Sequence, residues 1–166
     1  MHGTIVHVQQ QHEVDNCRRC RYVYRSSCSD SFSYRVLKDD WCVGIAVQWL
    51  RSHCCPWTDS TCMAAAAAGQ LDTLSWAREH GCNWSWKSFA YAAAKGHIEI
   101  LEYLYANRCS WTPMVCAWAS REGQLEALQW LRERGCPWNH RVWALAVEHG
   151  HMDVAIWAVR NGAPQG

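Results

Sequence analysis

The chain has 166 residues, of which 49% are hydrophobic and 19% are charged, and its formal net charge is +1. This length suits one domain or one short repeat array, and the composition is typical of a globular protein. The near-neutral charge argues against a nucleic-acid binder and against a polybasic membrane-surface protein. No apolar run approaches the ~18 residues of a membrane span, and the polar residues 1–30 predict no secretory signal. We therefore expect an intracellular protein in a reducing compartment.

The sequence repeats itself every 27 residues, and positions related by this step are called a column below. A fixed period of this length is the sequence signature of a repeat architecture. Three columns hold the same residue in four copies: Gly69, Gly96, Gly123 and Gly150; Cys55, Cys82, Cys109 and Cys136; Trp57, Trp84, Trp111 and Trp138. The period predicts repeats at about 31–57, 58–84, 85–111, 112–138 and 139–166. Residues 1–30 are predicted to be a degenerate segment, with a decayed further copy as the alternative.

Each repeat predicts two short helices. The residue after each periodic Trp is a good N-cap, whose side-chain oxygen is expected to accept a backbone N–H: Thr58, Ser85, Thr112 and Asn139. The first helix is predicted at 59–67, 86–94, 113–121 and 140–148, and the periodic Gly should end it in a left-handed conformation. The Trp before each cap is expected to pack on the fourth residue past the cap as a hydrophobic staple. Arg108 replaces the Gly that ends the second helix in other copies, which predicts a strained or altered turn.

The run AYAAAKGHIEILEYLYANRCSW at 90–111 resembles an ankyrin repeat. The segment GQLEALQWLRERGCPW at 123–138 more closely resembles the shortened, Trp- and Cys-rich ankyrin-type repeats of giant DNA viruses (pandoravirus-like) and of some algae and oomycetes. The full-length ankyrin period is ~33 residues and includes a β-finger, for which 27 residues leave no room. The predicted fold is therefore all-α, a solenoid of stacked helix-turn-helix repeats without β-fingers.

The resemblance implies a non-catalytic protein–protein interaction module, with a host protein as partner and the host cytoplasm as location if the chain is viral. Some relatives join an F-box to such repeats, so one alternative is the substrate-recognition arm of a ubiquitin-ligase adaptor. A second alternative is a zinc- or redox-dependent protein, because Cys17 and Cys20 form a CxxC pair near His12 and Cys28. Structural zinc needs four ligands, usually from two well-spaced pairs, and we expect no metal or other cofactor.

Enzyme chemistry and disulfides are not expected. The sequence has no phosphate-binding Gly loop and no nucleophile elbow, so neither catalysis nor a small-molecule substrate is predicted. Neighbouring stacked helices lie ~8–10 Å apart, whereas a disulfide needs Cα atoms within ~7 Å. The periodic cysteines are therefore predicted to be buried free thiols.

Four columns of the first helix vary from copy to copy, whereas the column of Ala65, Ala92, Ala119 and Ala146 is constant. Constant columns of a solenoid form the stack, and variable columns remain free to meet a partner. Trp, Tyr and Arg are the commonest interface hot spots. We therefore predict that partner contact centres on Trp86, Lys87, Tyr91, Trp118 and Arg121. The alternative is that Tyr91 and Trp118 only fill space between repeats.

Overall fold

The structure is a computed structural model that describes residues 59–165. This range contains eight α-helices and no strand, which confirms the predicted all-α fold: α1 (Asp59–Ala67), α2 (Leu71–Glu79), α3 (Trp86–Lys95), α4 (Ile98–Ala106), α5 (Pro113–Arg121), α6 (Leu125–Glu133), α7 (Arg141–Glu148) and α8 (Met152–Arg160). Consecutive helices pair into four helix-turn-helix units. None of the helices in this range is long and apolar enough to cross a membrane. The predicted segment 1–30, the copy at 31–57, Thr58 and the Cys17–Cys20 pair lie outside the described residues.

The first helices of the units form one continuous row. Helix α3 packs against α1 and α5, and α5 packs against α7, while each second helix packs mainly on the first helix of its own unit. The constant alanine column, Ala65, Ala92, Ala119 and Ala146, is fully buried within this row. A methyl side chain allows the close approach of neighbouring helices, so this column fixes the spacing of the stack.

The helix boundaries follow the sequence prediction closely, but the predicted side-chain caps are mostly wrong. Helices α1 and α5 have the predicted bounds, α3 extends one residue further to Lys95, and α7 begins one residue later, at Arg141. The side chains of Ser85 and Thr112 do not cap their helices. The Ser85 hydroxyl instead donates to Oδ2 of Asp59 in the preceding unit at 2.9 Å. Among the described copies, Oδ1 of Asn139 accepts a backbone N–H as predicted, from Arg141 at 3.1 Å.

The periodic tryptophans make ring contacts that connect units. Phe89, the predicted staple partner of Trp84, has its ring 5.4 Å from that of Trp111. The Trp84 ring lies edge-on to Tyr103, 6.0 Å away on the second helix of the following unit. Trp138 meets Trp157 in the same way, at 6.0 Å. The Trp column is therefore part of the contact between successive units.

A planar side chain from the second helix also packs on each of the described loop tryptophans. The guanidinium of Arg78 lies 4.5 Å from the ring centre of Trp84, and that of Arg132 lies 4.1 Å from Trp138. Both arginines also donate to the carbonyl of the periodic cysteine, at 3.2 Å and 2.7 Å. Tyr105 occupies this column in the intervening copy and stacks on Trp111 at 5.2 Å. Cation–π contact and stacking thus hold the loop in the same way in three copies.

Three of the four periodic glycines, Gly69, Gly96 and Gly123, are contact points between units as well as helix ends. All four of the first-helix column have positive φ, from 72° to 81°, as predicted. Each contact is made by the residue that follows the periodic Gly of the next unit. A Cβ built on Gly69 would lie 2.9 Å from the ring of His97, and a Cβ built on Gly123 would lie 2.5 Å from Nδ1 of His151. Arg108 has a positive φ of 55°, in agreement with the predicted strained turn.

Candidate functional site

An aromatic cluster links the first helices α3 and α5. The Trp118 ring on α5 lies edge-on to Tyr91 at 5.0 Å and to Trp86 at 6.4 Å, both on α3. The guanidinium of Arg121, one turn after Trp118, lies 5.9 Å from the Trp118 ring centre. Edge-to-face pairs of this kind contribute about 0.5–1.5 kcal/mol beyond area burial. The structure thus brings together four of the five residues predicted to contact a partner.

The three rings of this cluster are partly packed and partly open. Trp86, Tyr91 and Trp118 are all half-buried, and the two tryptophans pack against the hydrophobic core. The Arg121 side chain is 46% exposed. The rings therefore fill space between units and also present a surface to solvent. Lys87 is exposed and does not line the groove that opens beside the cluster.

A groove of about 290 Å³ opens beside the cluster, between the C-terminal ends of α3 and α5. Its apolar lining consists of Tyr91, Trp118 and the buried Ala94. Its polar rim consists of Lys95, Arg121 and Glu122. Because Ala94 is small while Tyr91 and Trp118 are large, the space above Ala94 stays open.

One carboxylate pairs with both cations of the rim. Oε2 of Glu122 lies 3.7 Å from Nζ of Lys95, and Oε1 lies 3.2 Å from Nε of Arg121. Lys95 and Glu122 belong to one column, the one before the periodic Gly, which reads Ala68, Lys95, Glu122 and His149. Sequence reasoning missed these two residues, although the variation along their column was a signal that could have found them.

The described cysteines are buried thiols that form no disulfide, as predicted for this part of the chain: Cys62, Cys82, Cys109, Cys116 and Cys136. The thiols that meet belong to different columns, with Cys62 hydrogen-bonded to Cys82 and Cys116 to Cys136. These hydrogen bonds, together with burial, raise the pKa of Cys62 and of Cys116. The sequence prediction considered only equivalent cysteines and so missed these pairs.

The third repeat has Phe89 in place of the second thiol, and there Cys109 donates to the Ser85 carbonyl at 3.6 Å. Burial raises the pKa of Cys109 to about 11. A thiol with a raised pKa is protonated at neutral pH and is a poor nucleophile. Residues 59–165 hold no group of three or more His, Cys, Asp or Glu side chains placed to bind a metal ion.

The row of helix pairs with an aromatic groove on its first helices defines a helical-repeat protein. Residues 62–142 match the family model for ankyrin repeats, in three copies. This segment therefore contains ankyrin repeats, which are typically protein–protein interaction modules and usually non-catalytic. A search of curated proteins found no match.

Proposed function

We propose that this protein is a non-catalytic interaction module that binds a protein partner through the row of first helices. The observation that carries the proposal is the convergence of Trp86, Tyr91 and Arg121 on Trp118, beside an open groove. Rigid aromatic side chains and Arg give large contact area and directional hydrogen bonds, which is why they dominate interface energetics. The contact centre therefore consists of Trp118 and its three neighbours, with Lys87 at its edge.

The scaffold under this surface supports the proposal. Buried alanines hold α3 and α5 close together, so the cluster is positioned by packed helices rather than by a loop. A pre-positioned surface loses less conformational entropy on binding. The groove volume of about 290 Å³ lies at the lower edge of the ~300–1,000 Å³ range of small-molecule pockets, which favours side chains of a protein as occupants.

The sequence supports two further parts of the proposal. The 27-residue period continues back to about residue 31, and we place the start of the array there, with repeats of the predicted bounds. The likeness to shortened repeats of giant DNA viruses favours a host protein as partner, met in a reducing intracellular compartment.

Affinity capture with quantitative mass spectrometry tests the proposal. The full chain is compared with Trp118→Ala/Arg121→Ala and with a matched control, Trp76→Ala/Arg160→Ala, which removes the same residue types from second helices. We expect the first variant to lose captured proteins at least tenfold and the control to retain them. Recovery of a ubiquitin-ligase scaffold would instead favour the adaptor function.

Melting temperature distinguishes a binding surface from a structural cluster. The exposed Arg121→Glu variant keeps the aromatic packing, so it should melt within about 1–2 °C of the wild type while losing captured proteins. If both Trp118→Ala/Arg121→Ala and Arg121→Glu capture the same proteins as the wild type, the first-helix row is not the binding surface. If the variants have a lower melting temperature but capture the same proteins, the aromatic cluster only stabilises the stack.

A further inference from the structure

The rim of the groove carries more positive than negative charge. Lys95 from α3 and Arg121 from α5 both approach it, and their side chains are 53% and 46% exposed. Within residues 59–165, Glu122 is the one carboxylate that lines the rim, so one negative charge faces two positive charges. The cations come from neighbouring units, and both therefore point to the same open space only in the assembled stack.

Glu122 lies between the two cations in the way that a carboxylate of a ligand would. Its two oxygens each face one cation, at 3.7 Å and 3.2 Å. Exposed ion pairs of this kind are weak, so an incoming carboxylate can displace Glu122 at small cost. The apolar part of the groove, above Ala94 and between Tyr91 and Trp118, lies directly beside these charges.

We propose that this groove binds an acidic peptide segment of the partner, with an apolar side chain packed on Tyr91 and Trp118 and a neighbouring carboxylate between Lys95 and Arg121. The inference rests on the proposed function and adds the chemistry of the partner. Glu122 occupies the carboxylate position in the free protein and is displaced on binding. The volume of about 290 Å³ equals that of roughly ten waters, enough for one or two side chains to replace that solvent.

Peptide selection tests this proposal. A library of random peptides displayed on phage is selected on the immobilised full chain, and enriched peptides are synthesised with a fluorescent label for anisotropy titrations. We expect the enriched peptides to place Asp or Glu beside a Leu, Ile or aromatic residue. Their affinity should fall as salt concentration rises, because the contacting charges are exposed to solvent.

Three variants measure the contribution of the rim. Lys95→Glu/Arg121→Glu should weaken the selected peptides at least tenfold, because like charges would then face each other. Glu122→Gln should strengthen them about two- to fivefold, because both cations lose their intramolecular partner. The control Arg108→Glu/Arg160→Glu changes net charge by the same amount at exposed ends of second helices, and should bind as the wild type does.

The outcomes separate this inference from the proposed function. Enriched peptides that need Trp118 but are basic or neutral overturn the acidic ligand and leave the interaction surface standing. Acidic peptides that bind Lys95→Glu/Arg121→Glu as tightly as the wild type also overturn it, and the two cations then serve only the helix C-termini. A library that yields no binder overturns the inference, while the capture experiment above decides the function independently.

Discussion

The turn after α5 offers a sharp test of how successive units are held together. Gly123 has a φ of 72°, and a Cβ built on it lies 2.5 Å from Nδ1 and 2.9 Å from Cγ of His151 in the following unit. Gly135 has a φ of 80°, and a Cβ built there meets nothing within 4 Å. Alanine at either position is forced into the left-handed region, but only Gly123→Ala also displaces a neighbouring unit.

The expected magnitudes follow from these two contributions. Alanine in the left-handed conformation costs about 1–2 kcal/mol, of which the reduced freedom of the unfolded chain offsets about 0.4–1 kcal/mol. Gly135→Ala should therefore lower the free energy of unfolding by about 1 kcal/mol. Gly123→Ala must also move the His151 ring, and overpacking of this kind costs about 1–3 kcal/mol more. The total of about 2–4 kcal/mol corresponds to a fall in melting temperature of roughly 2–4 °C per kcal/mol.

Urea denaturation followed by far-UV circular dichroism measures both free energies, and His151→Ala completes a double-mutant cycle. In the His151→Ala background the cost of Gly123→Ala should fall to that of Gly135→Ala, because the displaced ring is gone. Equal costs of Gly123→Ala and Gly135→Ala in the wild-type background would refute the contact between units. So would an unchanged cost of Gly123→Ala once His151 is removed.

Three further changes test other parts of the structure. Arg108→Gly should raise the free energy of unfolding by about 0.5–1 kcal/mol, because Gly adopts a φ of 55° without strain. A melting temperature that does not rise would contradict the strained turn. Ser85→Ala should cost about 0.5–1.5 kcal/mol in the wild type but little after Asp59→Ala, whereas a side-chain cap would cost the same in both backgrounds. Burial raises the pKa of Cys109 from 9.0 to about 11, so this thiol ionises at a lower pH in the unfolded chain than in the folded protein. The free energy of unfolding should therefore keep the contribution of the protonated thiol below pH 9 and lose up to about 2–3 kcal/mol as the pH rises to 11. In Cys109→Ala the free energy of unfolding, measured by urea denaturation, should fall less between pH 9 and pH 11 than in the wild type. An equal fall in both proteins would show that this thiol does not titrate as described.

Local chemistry explains why the helices could be predicted from sequence. Pro113 at the first helical position and a Gly after the last turn fix the ends of α5 through backbone properties of single residues. The same signals recur every 27 residues, so the bounds in one copy predict those in the next. The fold class follows because helices with one apolar face must bury it against their neighbours.

Side-chain partners were harder to predict, because they depend on contacts between units. Ser85 has the sequence context of a capping residue, yet the carboxylate of Asp59 in the preceding unit competes for its hydroxyl. Spacing within one repeat contains no information about which neighbouring unit a side chain reaches. The Cys62–Cys82 and Cys116–Cys136 pairs each lie within one repeat and join two columns, so the distance between equivalent cysteines of successive repeats does not predict them.

The candidate site arises where the repeat departs from its own pattern. Tyr91 and Trp118 share a column with Ala64 and Leu145, so the two middle units supply the aromatic rings and the outer described units do not. The constant alanines hold α3 and α5 at a fixed separation, and a large side chain on each helix then leaves a groove only where the residue between them, Ala94, is small. Column variation could therefore identify the rings from sequence. The groove and its shared carboxylate required the spacing of the stack, because Lys95 and Glu122 are 27 residues apart in sequence but 3.7 Å apart in the folded protein.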